Sequence, residues 1–250
     1  MAHPFPGDVR VLADDDALLA ELASHLLTQA VQAVRERGWF HLALSGGRTP
    51  ESFFVRLVTD PLYRAVPWGH THIWMVDERV VPADHDASNF RMIRETLLEH
   101  LPMRRRQWHP IPAEASRPAE RYGAELTSVL GKEARLDYAL LGLGEDGHTA
   151  SLFPNSTALN ESTAFVVESE APGTVAPRRV TLTYPALNGC RDVAVLAMGV
   201  EKAAILRRVA DGFAGTGPGI ASLPMCGIRP ADGDLTWFLD EAAAGRLDAV

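Results

Sequence analysis

Two spacings of apolar residues alternate along this chain. Leu18, Leu19, Leu22, Leu26 and Val34 recur at helical spacing within residues 15–37. That spacing predicts one amphipathic helix, ended by Gly38. Short apolar runs flank it: "VRVLA" (9–13) and "WFHLAL" (39–44) read as strands, and so does "THIWMV" (71–76). After "SGG" a helix starts near Pro50, with Thr49 as its expected N-cap and Pro50 at its first helical position.

The alternation continues to the end of the chain. Helices are predicted over about 89–100, 117–131 and 200–211, and strands over 108–111, 136–144, 163–169, 178–184, 192–198 and 235–239. The runs at 72–76, 138–143 and 192–198 are apolar almost without interruption, as strands are when both faces of a sheet are covered. The expected fold is therefore α/β and Rossmann-like, with a largely parallel sheet and helices on both faces. No repeat, low-complexity tract or long linker divides the chain, so residues 1–250 are expected to form a single domain.

Composition removes several function classes. The 250 residues carry a net charge of -8, which disfavours non-specific binding to nucleic acid or anionic membrane but leaves room for a small anionic substrate. Cys190 and Cys226 fit neither a metal spacing nor a disulfide framework. The opening "MAHPFPGDVR" lacks the apolar core of a leader, and no run approaches a membrane span. A cytoplasmic protein is expected, as a monomer or weak homo-oligomer.

The stretch "LLGLGEDGHTASLFP" (140–154) contains G-x-G-x-x-G at Gly142, Gly144 and Gly147, with the acidic Glu168 about twenty residues on. Its neighbours are wrong for a dinucleotide. Glu145 and Asp146 would repel a pyrophosphate, and Pro154 cuts the following segment after barely two turns. A better anion cradle is "LSGGRTP" (44–50). Ser45, Gly46 and Gly47 leave a strand with little side-chain bulk and run into a helix N-terminus, and the Ser45 and Thr49 hydroxyls can add donors. Lacking the Walker lysine, the loop suits one phosphate monoester; a plain strand–turn–helix joint is the alternative.

Other polar residues follow strands, where open α/β sheets bind ligands. His148 can act as a general base near neutrality, with Asp146 holding its imidazole, or can be a capping residue. Asp77 and Arg79, from "DERVV" (77–81), line either a ligand crevice shared with "SGG" or an exposed loop. Arg179 and Lys202 stand at element boundaries as possible phosphate cations or surface charges. The other eight histidines lack such a setting; "HTH" (70–72) and "DHD" (84–86) read as solvated loops rather than metal sites, and "RRR" (104–106) as a solvated helix end.

Taken in order, "LALSGGRTP", "DERVVPADHDASNFRM", "LGLGEDGHTASLFP", "RVTLTYPALN" and "GVEKA" resemble the 6-phosphogluconolactonase family, part of the wider glucosamine-6-phosphate isomerase/lactonase superfamily, over about residues 9–240. The resemblance implies hydrolysis of 6-phospho-D-glucono-1,5-lactone to 6-phosphogluconate, without a cofactor or metal. It implies that Ser45, Gly46, Gly47 and Thr49 hold phosphate together with Arg179 and Lys202. It makes His148 the general base and Asp146 its orienter, with Arg79 binding substrate or steadying developing charge. Within the superfamily the rival is an amino-sugar-phosphate isomerase or deaminase. That branch reads "DGHIAFNEP" where this chain reads "DGHTASLFP", so Phe153 replaces its carboxylate. A non-catalytic sugar-phosphate sensor is the second alternative; nothing before residue 9 or after 240 reads as the partner domain such a sensor carries.

Overall fold

A computed structural model describes residues 5–245; residues 1–4 of the opening segment, and 246–250 of the expected domain, lie outside the described residues. In chain order the elements are β1 (Asp8–Leu12), α1 (Asp15–Arg37), β2 (Phe40–Leu44), α2 (Arg48–Thr59), β3 (Thr71–Met75), β4 (Asp77–Arg79), α3 (Asn89–Thr96), β5 (Trp108–His109) and α4 (Pro118–Leu130). They continue with β6 (Tyr138–Gly142), β7 (Val166–Glu170), β8 (Arg178–Leu182), α5 (Tyr184–Asn188), β9 (Asp192–Ala197), α6 (Ala203–Phe213), β10 (Asp234–Asp240) and α7 (Glu241–Ala244).

Seven strands form one sheet in the order β1-β10-β9-β6-β2-β3-β5, every pair parallel. Its middle strands are buried along nearly their whole length, β9 at all six residues, which explains their unbroken apolar sequences. The order reverses between β2 and β6. From β2 the chain moves outward to β3 and β5, and from β6 it moves the other way to β9 and β10. Such a reversal opens a crevice at the carboxyl ends of the strands.

Helix α1 follows its sequence signals closely. The Asp14 side chain accepts from the Ala17 N–H at its start, and Gly38, at φ 82°, donates to the Val34 carbonyl at its end. Leu18, Leu22 and Leu26 are completely buried, each contributing about 1.5–3 kcal/mol by burial. Among the described residues no helix is long and apolar enough to cross a membrane.

The strands read at 163–169 and 178–184 do not join the parallel sheet. As β7 and β8 they form, with β4, a separate antiparallel sheet in the order β4-β8-β7. Their sequences alternate polar and apolar residues, unlike the continuous apolar runs of the larger sheet, although β8 is buried at four of its five residues. Val76 joins the two sheets. Its N–H donates to Leu44 of β2, and its carbonyl accepts from Leu182 of β8.

Four local expectations are corrected. Gly47, not Thr49, is the N-cap of α2, so Thr49 lies in the first turn and Pro50 at the third helical position. In keeping with the break read at Pro154, the segment after Gly147 forms turns and a Thr149–Leu152 bridge with no helix, Ala150 and Asn155 holding positive φ. The 89–100 helix ends its α-helical part at Thr96, and the 200–211 helix opens with a 3₁₀ turn over Val200–Lys202. Finally, "HTH" is not a solvated loop. His70 is exposed, but His72 lies on β3 and stacks between His41 and His109 at centroid distances of 4.9 and 5.1 Å. A strand register brings these rings together across β2, β3 and β5, which local spacing along the chain cannot reveal.

Candidate active site

A cleft of about 360 Å³ opens where β9, β6, β2 and β3 end. Ser45, Gly46, Gly47 and Thr49 line it together with His148, on the loop after β6, and with Asp77, Arg79, Arg179 and Lys202. Asp146 stands behind His148.

The two glycines after Ser45 have different jobs. A Cβ on Gly46 would lie 2.0 Å from Asn89 Oδ1, so this position must be bare for α3 to approach. Gly47 takes φ +112°, a conformation that side chains disfavour. Together they turn the chain straight into α2, whose first N–H groups have no partner further back in the helix. The Ser45 hydroxyl is buried and makes no hydrogen bond within the protein.

His148 and Asp146 form the closest polar pair in the cleft: Nδ1 stands 2.5 Å from Asp146 Oδ1, which also accepts from the His148 backbone N–H at 3.0 Å. Burial works to raise the Asp146 carboxyl, but the His148 hydrogen bond and charge outweigh it and hold the group below its usual range. An ionised Asp146 accepts a proton-bearing Nδ1 and leaves Nε2 as the free acceptor of the neutral ring. Gly144 makes this possible, since a Cβ there would lie 2.1 Å from His148 Nδ1. Gly147 takes φ +90° where the loop turns. The Phe153 ring packs against the imidazole at 4.6 Å.

The "DER" triplet is β4, and its three charges diverge. Glu78 is buried and accepts from the Arg79, Asn89 and Phe90 N–H groups and the Ser88 hydroxyl at 2.7–3.0 Å. It thereby fixes the start of α3 to the strand. Burial raises its pKa against the lowering effect of those donors. Asp77 accepts from Ser151 Oγ at 2.6 Å and from Asn89 Nδ2 at 3.3 Å, which braces the cleft wall. Arg79 donates to the Ala87 carbonyl at 2.8 Å, while its Nε has no partner.

Arg179 comes from β8 and is buried. It reaches Thr174 Oγ1 at 3.3 Å, and its Nε is also unpartnered. Burial, then the charge of Arg79, lowers its pKa. Lys202 ends the 3₁₀ turn that leads into α6.

Sequence reasoning did not identify Glu78, Asn89, Ser151 or Thr174. Glu78 lay inside a triplet that was read, but its role depends on α3 folding back over β4. Asn89 follows the Ser88 N-cap and otherwise looks like any helix-opening residue. Among the described residues no group of three or more His, Cys, Asp or Glu is arranged to hold a metal ion.

The family model "Glucosamine-6-phosphate isomerases/6-phosphogluconolactonase" matches residues 13–237. A "GDH/6PGL endoplasmic bifunctional protein" of Oryctolagus cuniculus is 39% identical over 96% of this chain, which spans only 32% of that protein's length. A "6-phosphogluconolactonase" of Nostoc sp. is 34% identical, with 96% of this chain and 98% of that one covered. Among solved structures, "6-phosphogluconolactonase from Trypanosoma cruzi" superposes with a TM-score of 0.83 at 27% identity, covering 99% and 100% of the two chains.

Proposed function

This chain belongs to the glucosamine-6-phosphate isomerase/6-phosphogluconolactonase family, and on that premise we propose that it hydrolyses 6-phospho-D-glucono-1,5-lactone to 6-phospho-D-gluconate in the cytoplasm, as one catalytic unit. The observation that carries the reading is the 2.5 Å His148–Asp146 pair, with His148 lining the same cleft as the Ser45–Thr49 loop, Arg179 and Lys202.

The 6-phosphate sits on the Ser45–Thr49 loop with Arg179 and Lys202, and its binding energy positions the ring. His148 Nε2 takes a proton from water as that oxygen attacks the lactone carbonyl. Asp146 keeps the ring in the tautomer that can do so and stabilises the imidazolium that forms. Arg79 steadies the oxyanion. On collapse the bond from carbonyl carbon to ring oxygen breaks, and His148 returns the proton to the leaving oxygen.

Phe153 argues against the deaminase reading, because a phenyl ring stands against His148 where the deaminase pattern has a carboxylate. Parallel lactonase and deaminase assays on purified protein, corrected for spontaneous lactone hydrolysis, decide between them. Lactone turnover alone is the expected result. Deaminase turnover would overturn the reading in favour of that branch, and binding without turnover would favour a sensor.

A further inference from the structure

A second cavity, of about 870 Å³, lies at the opposite end of the large sheet, where β1, β10 and β9 begin. A row of aspartates marks that edge. Asp8, Asp234 and Asp192 open their strands, and Asp137 directly precedes β6.

Two members of the row are buried, and the protein treats them oppositely. Asp137 accepts from Arg37 Nε at 2.9 Å and from the His41 N–H at 2.8 Å, with Arg191 at 3.3 Å. Asp192 is 2% exposed, lines the cavity, and neither of its carboxylate oxygens has a hydrogen-bond partner. A buried acceptor left open costs about 1–3 kcal/mol, more when it is charged.

The donors around Asp192 are committed elsewhere. Arg10 is held by Glu21 at 2.5 Å and Asp8 at 3.4 Å. Ser24 and Thr28 donate back to carbonyls of their own helix, Ala20 and Ser24. His25 Nε2 stands 3.5 Å from Asp192 Oδ2 without forming a hydrogen bond. Burial, ahead of the Arg10 charge, lowers the pKa of this histidine, and burial raises that of Asp192 to about 7. Asp234 is the strand neighbour of Asp192 and is exposed at the mouth. Arg229, the other guanidinium of the lining, donates its Nε to the Cys226 carbonyl at 3.0 Å and lies over the Phe213 ring at 5.0 Å. Among the described lining residues the carboxylates Asp8, Glu21, Asp192 and Asp234 therefore outnumber the guanidiniums Arg10 and Arg229.

We propose that this cavity binds a small organic cation bearing primary ammonium groups, with Asp192 as its inner anchor and Asp234 at its mouth. An ammonium carries three donors and a full charge, and two acceptors suffice to hold it. A metal ion demands a larger converging ligand set, which the described residues do not form here. The site is separate from the active cleft and does not depend on the reaction proposed there.

Putrescine is the test probe, titrated into the full chain and followed by ¹H–¹⁵N NMR, with sodium chloride at matched ionic strength as control. The expected result is a saturable set of shifts centred on His25, Asp192 and Asp234 that salt does not reproduce. Asp192→Asn should weaken binding about tenfold or more, the loss of one charge-assisted contact. If that variant gives no folded spectrum, Asp234→Asn carries the test, with weakened binding expected. Absence of saturation, reproduction by salt, or an unchanged midpoint in the folded variant overturns the proposal.

Discussion

Arg79 and Arg179 occupy the same rung of the β4–β8 pair, directly opposite each other on antiparallel strands. Like charges so placed repel, and burial adds to the cost at Arg179. A bound phosphate removes that penalty. Inorganic phosphate should therefore raise the Tm of the wild type more than that of Arg179→Gln, read by scanning fluorimetry. With the phosphorylated lactone, Arg179→Gln should lose roughly 10–100-fold in kcat/KM, mainly through KM, as expected for a charge-assisted contact of about 1.5–3 kcal/mol. A variant that still prefers the phosphorylated lactone as strongly as wild type would remove Arg179 from the phosphate site.

His148→Ala should lower kcat by about 10²–10⁴-fold with a smaller change in KM. Asp146→Asn should also lose kcat, because an amide can present its NH₂ to Nδ1 and turn the ring to the wrong tautomer. Steady-state kinetics on both variants check this; near-wild-type turnover in His148→Ala would sink the assignment.

Gly144→Ala separates geometry from stability. The three atoms nearest the added Cβ all belong to the His148 ring, a side chain that can swing aside at little cost to the fold. Activity should fall by at least about tenfold, equivalent to roughly 1.4 kcal/mol of transition-state stabilisation, while Tm stays near that of the wild type. A large drop in Tm would show that the glycine serves the turn rather than the base.

The buried histidines, two of them in the stack, predict an acid-sensitive fold. Burial, the largest cause in each case, holds His41 at about 3, and His25 and His72 at about 4, below the ordinary 6.5. The unfolded chain therefore binds more protons below about pH 6.5, and stability falls as pH drops from there toward 4. Asp192, pushed up to about 7 by burial, acts in the opposite sense over the same window, and so do the raised carboxyls of Asp15, Glu78 and Asp137; the histidine share is the part that a histidine substitution removes. Tm measured against pH should decline on the acid side, and His72→Asn should make that decline shallower. An unchanged slope would exclude the stack as its source.

Much of the large sheet was legible in the sequence because its strands are apolar on both faces and its helices carry clear end signals, as Asp14 and Gly38 do. The bare turn into α2 was legible for a local reason: Gly46 and Gly47 are consecutive and follow a strand. The brace around it was not. Glu78 meets Phe90 and Asn89 only after α3 folds back, and Ser151 meets Asp77 across 74 residues of chain. Those contacts depend on tertiary placement, and no spacing rule encodes them. The small sheet was misassigned because period-two alternation identifies a strand but not which sheet it joins.

Val76 carries a consequence for how this chain can vary. The span between the Ser45 loop and the arginine rung is set there by the backbone of one residue with a hydrogen bond on each side, and the valine side chain takes no part in those bonds. Trimming the side chain should cost packing energy and leave the gauge intact. Adding or deleting a single residue between Met75 and Asp77 would invert every side chain of β4, sending Arg79 to the opposite face and breaking the Glu78 anchor in the same stroke. The cleft is thus tolerant of spelling changes at this junction and intolerant of any change in length.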